Sequence, residues 1–152
     1  MSFVTERLKA QAKASEVQQE FNKARFKERQ HLASVSPNLW DELGEVLQSF
    51  VNEFSGEQKS RRVIVRKTDE RIEVMRENEL AFLAFVQFDR THQAITYECP
   101  TQRPNAGNPP RGTYKIVLDA NKRPSLYGGK KGQIVSIEVA AQEILEPALF
   151  GY

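Results

Sequence analysis

The chain has 152 residues, one domain of ordinary size, and 39 of them are Leu, Ile, Val or Phe, enough to bury a core. A net charge of +2 sets up no global field that would draw nucleic acid or an anionic membrane, and the single cysteine, Cys99, excludes an intramolecular disulfide. The longest nearly uncharged apolar run, Leu80 to Phe88, spans nine residues against the roughly 20 that a membrane-crossing helix needs. Glu6, Arg7 and Lys9 interrupt the apolar stretch that a signal peptide requires, so the reading is a cytoplasmic protein in a reducing setting.

Residues 2–34 hold no Pro or Gly and are rich in Ala, Glu, Lys, Gln and Arg, which predicts one long helix. Ala10, Ala14, Val17, Phe21 and Ala24 recur at alternating spacings of four and three, a heptad seam that Glu28 and His31 interrupt. About 30 residues at 1.5 Å each give roughly 45 Å, longer than the roughly 38 Å diameter of a compact globule of this size. Part of the helix must therefore project, bend or lie along a partner.

Ser36-Pro37 predicts the start of a second helix, with Ser as cap and Pro at the first helical position. Leu39, Trp40, Leu43, Val46, Leu47, Phe50, Val51 and Phe54 fill one broad stripe, and Ser55-Gly56 supplies a stop. Residues 1–35 carry seven bases against four acids, and 36–57 carry five acids and no base, so the two helices are expected to form an antiparallel hairpin.

From residue 61 the period falls to two. Strands are expected at 61–67, 71–76, 80–89, 93–99, 113–119 and 133–137, with a short extra one near Leu126. Their short connections favour an antiparallel meander. Residues 138–146 read as a short C-terminal helix that Pro147 ends or kinks. The expected fold is α+β: an N-terminal helical hairpin, an antiparallel sheet of five to six strands and a short C-terminal helix. It forms one domain over 1–152, with 1–35 as a long helix that projects or is used in association and 36–152 as a compact body.

Few residues suggest chemistry. His31 and His92 lie far apart in sequence and Cys99 has no Cys-x-x-Cys partner, so neither a metal site nor a cofactor is expected. No Gly-x-Ser-x-Gly or His-Glu-x-x-His occurs, and no catalytic residue is assigned. Asp89-Arg90-Thr91-His92 reads as a polar turn, and Gly128-Gly129-Lys130-Lys131-Gly132 as a hairpin turn instead of a phosphate loop, because a strand follows it. Residues 100–112 are too rich in Pro and Gly for regular structure.

Three functional expectations follow. The leading one is a non-enzymatic interaction or assembly module, homodimeric, burying Ala10, Ala14, Val17 and Phe21. The strand 80–89 is apolar on both faces and supplies a second surface for association. The alternative is a site for a small, partly apolar ligand between sheet and helices, lined by Trp40, Phe82, Phe85, Tyr97 and Tyr114, with Arg103 or Arg111 fixing an anionic end. The third is nucleic-acid binding through Lys122, Arg123, Lys130 and Lys131 in Gly/Pro-rich loops.

Overall fold

The computed structural model describes residues 2–58, 62–77, 81–100 and 107–150. Its first element, α1, is a single helix over Phe3–Glu57. Ser2 caps it by accepting from the Thr5 amide, and Ser55 closes its far end onto the sheet by accepting from the Val63 amide at 3.2 Å. The expected hairpin is not formed. The helix runs through Pro37, which has no amide to offer the preceding turn, while the Ser36 hydroxyl turns back to donate to the Leu32 carbonyl at 2.5 Å. Leu32 and Val35 lie partly buried upstream of the proline, on the same stripe as Leu39, Trp40, Leu43, Leu47 and Val51. A reversal at Ser36 would lift them off the core. The acidic face of this half is answered from the sheet, where the Lys67 ammonium meets Asp41 at 2.7 Å.

Seven strands follow: β1 (Val63–Lys67), β2 (Arg71–Arg76), β3 (Phe82–Asp89), β4 (Ala94–Glu98), β5 (Arg111–Leu118), β6 (Pro124–Gly128) and β7 (Gln133–Val135). They pair in sequence order, every pair antiparallel, as the short connections require. The count is seven where five to six were expected, because the segment around Leu126 is a full member of the sheet, pairing with both β5 and β7. A final helix, α2 (Ile137–Phe150), starts with Ser136 accepting from the Val139 amide and continues past Pro147, which does not end it.

The core lies between one face of the sheet and the helices. Ile72, Val74, Val86, Ile95, Tyr114, Ile116 and Leu126 meet the stripe of α1 and the Ala140, Ala141, Ile144 and Leu145 face of α2. Trp40 anchors the centre, its indole donating to the Thr68 carbonyl at 3.1 Å and its ring 5.5 Å from Phe88. At 1.5–3 kcal/mol for each fully buried large apolar side chain, this stripe outweighs the roughly 3 kcal/mol that an interior proline costs.

Leu43 has no exposed surface, whereas Leu8 of the same helix is 60% exposed. Leu43→Ala is expected to lower the unfolding free energy by about 2–5 kcal/mol, and Leu8→Ala to leave it within about 0.5 kcal/mol. Urea titration followed by circular dichroism checks the contrast.

Candidate functional site

Residues 2–31 are exposed at every position, so α1 leaves the body as an arm of roughly 45 Å. The seam residues Ala10, Ala14, Val17 and Phe21 all lie on it. Val17 is 66% and Phe21 55% exposed, with the Arg25 guanidinium 5.6 Å above the Phe21 ring. Nothing among the described residues packs on this seam.

The six described residues of the expected ligand site divide between the two faces of the sheet. Trp40, Tyr97 and Tyr114 are buried on the helix side and fill the core. Phe82 and Phe85 stand on the other face, which carries no helix among the described residues. A bulge opposite Val74 and Met75 brings them to the same side although they are three residues apart, with ring centroids 4.6 Å from one another. The Arg71 guanidinium covers Phe85 at 4.6 Å and pairs with Glu73 at 3.1 Å. Arg111 sits opposite Glu98 in register. Phe85, Tyr97 and Arg111 border a shallow depression of about 540 Å³ together with Arg71, Gln87 and Thr113. Arg103 lies outside the described residues.

The basic residues do not make one patch. Lys122 and Arg123 occupy the turn before β6, where Asp119 accepts from the Arg123 amide, and Lys130 and Lys131 occupy a 3-10 turn after it. That second turn is the expected hairpin connection. Gly129 there has φ +71°, and a side chain on it would collide with Tyr114 and Glu143.

The collision points to a cluster that sequence reading missed. Glu143 on α2 is buried and accepts a short hydrogen bond from the Tyr114 hydroxyl, while Tyr97 stacks on Tyr114 at 5.9 Å. Cys99 lies in the same layer and donates to the Ile144 carbonyl at 3.3 Å. Burial, then the bonded Glu143 carboxylate, hold the Tyr114 hydroxyl far above its usual pKa. Burial and the charge of Glu143 raise Tyr97 as well. Burial, reinforced by Glu98, pushes the Cys99 thiol up to about 11, so it is a protonated donor at neutral pH. The cluster ties α2 to β4 and β5. The one hint in the sequence is a lone acid, Glu143, in the otherwise uncharged segment 139–145.

At the other end of the body, Phe54 and Phe150 meet edge-to-face at 5.7 Å and, with Phe50, Leu145 and Leu149, line a groove between α1 and α2 edged by Glu53, Glu57 and Glu146. The described residues contain no group of three or more His, Cys, Asp or Glu able to hold a metal ion, and no described helix is long and apolar enough to cross a membrane. Comparison with protein-family models, curated proteins and solved structures gives no match.

Tyr114, Tyr97 and Cys99 are neutral when protonated and titrate higher in the folded chain than in the unfolded one. The unfolded chain therefore releases these protons first, and stability that is complete below about pH 9 declines as the pH rises toward 11. Tyr114→Phe is expected to lower stability at neutral pH by about 1–3 kcal/mol, by leaving the carboxylate unpaired, and to flatten the alkaline decline. Thermal midpoints measured from pH 7 to 11 decide this; parallel declines for the two proteins would refute the assignment.

Proposed function

We propose that the chain is a non-enzymatic interaction module that associates with a second copy of itself through the seam of its projecting helix. One observation carries the reading: a heptad seam with Val17 and Phe21 at its centre stands exposed on a helix that has already left its own core. Helices in water owe most of their stability to burial of one face, and this half of α1 buries none within its own chain. A partner helix laid on the seam supplies that burial. Small residues at Ala10, Ala14 and Ala24 allow close approach, and Phe21 supplies the bulk. A chain with one buried, protonated cysteine fits a reducing, cytoplasmic setting.

The depression on the open sheet face supports a second reading, a small partly apolar anion held on Phe85 between Arg71 and Arg111. A native mass spectrum separates the two, since self-association doubles the mass and a retained ligand adds a small increment.

Sedimentation velocity tests the leading reading directly. The unmodified chain is expected to sediment as a dimer, and Phe21→Asp to shift it to monomer at least tenfold up the concentration range. Because Phe21 is 55% exposed and touches no core residue, the body keeps its thermal midpoint. A dimer of unchanged affinity would remove the seam as the interface.

A further inference from the structure

The order of charges beside the seam specifies how two copies would lie. With Ala14 and Phe21 at a positions and Ala10, Val17 and Ala24 at d positions, the flanking g positions are Glu6, Lys13, Glu20 and Lys27, alternating in sign. All four are exposed. The same phase places Arg7 and Glu28 at a positions and Phe3 at a d position, extending the seam in both directions.

We infer that the two arms pair antiparallel, with Ala14 of one copy beside Val17 of the other. This inference rests on the self-association reading above. In that register Ala10 faces Phe21 of the second copy, so Val17 and Phe21 at the centre of the seam each meet an alanine, and Arg7 faces Ala24. An antiparallel helix pair brings g positions against g positions. Lys13 therefore meets Glu20 of the second copy and Glu6 meets Lys27, and the two-fold axis repeats each pair. Glu28 lies beside Phe3, within reach of Arg7 in the adjoining layer. Every charged residue at the a and g positions then meets an opposite charge, while Arg25 at an e position lies beside Val4.

A parallel pair uses the same residues worse. Identical a residues would stand face to face, Arg7 against Arg7 and Glu28 against Glu28. Lys13 would meet Gln18, and of the four g residues only Glu20, opposite Arg25, would find an opposite charge. Parallel arms would also set the two bodies side by side. The antiparallel register carries them to opposite ends, since Phe3 of one copy reaches Glu28 of the other, one turn before Leu32 enters its body.

Two measurements on the full chain test the inference. A nitroxide on the Gln30→Cys variant, at an exposed position away from the seam, is expected to give an inter-copy distance of roughly 45 Å, against roughly 25 Å for parallel arms; Cys99 is buried and stays unlabelled. Lys13→Glu alone and Glu20→Lys alone are each expected to weaken the dimer about tenfold, and the two together to restore it, because each like-charge contact becomes an opposite one again. A short distance, or a double variant as weak as the single ones, overturns the antiparallel register and leaves self-association standing. A monomer at every concentration overturns both.

Discussion

The burial of Leu39, Trp40, Leu43, Leu47 and Val51 against the sheet is the interaction on which the rest of the molecule depends. It fixes the position and axis of the second half of α1, and the helix carries that axis on into solvent through Pro37, where one backbone hydrogen bond is missing. The body also acts as the helix nucleus. Starting a helix costs far more than extending one, and here the starting turns are held by packing, so the arm is added by extension alone. Helix propensity favours that extension, from residues that lose little entropy in the helical state, while burial of one face is what the arm lacks on its own.

The same constraint explains which parts of the fold were readable in advance. The stripe on α1 and the alternation in β2 to β5 come from short-range periodicity, and the observed spans differ from those expected by a few residues at most. The helical hairpin came from reading Ser36-Pro37 locally, where a cap and an interior proline share the same letters. What separates them is whether Leu32 and Val35 have a surface to pack on, and that surface is the sheet, remote in sequence. The β6 strand was faint for a similar reason: it holds one buried apolar residue, Leu126, between a proline and two glycines, and its identity comes from its neighbours on either side.

Site residues show the limit more sharply. Tyr97, Tyr114, Phe82 and Phe85 are recognisable as aromatic strand residues, but which face each occupies depends on the pairing register, which sets Phe85 opposite Glu98 and Tyr97 opposite Val86, and for Phe82 on the bulge between β2 and β3. Register divides the single expected cavity into a filled core at Tyr97 and Tyr114 and an open face at Phe85, and the one extra residue of the bulge adds Phe82 to that open face. The Tyr114–Glu143 contact joins a strand to a helix 29 residues further on, and no local spacing encodes it. The charges beside the arm seam are the opposite case. Their alternation is written in the sequence, and it acquired meaning once residues 2–31 were seen to stand clear of the body.

Antiparallel pairing also answers a mechanical problem in a helix anchored at one end only. The helix start at Phe3 is the described part of α1 furthest from the packed body, and each turn toward it depends on the turn behind. In the antiparallel register that end lies beside Glu28 of the second copy, next to the segment held by its body. Each body would then stabilise its own arm directly and the tip of the other arm through the seam. A parallel pair would leave both tips together and both far from either body, with Arg7 facing Arg7 where support is weakest. In such a pair the polar residues at the ends of the seam, which look like interruptions in a single helix, would be the features that set its direction.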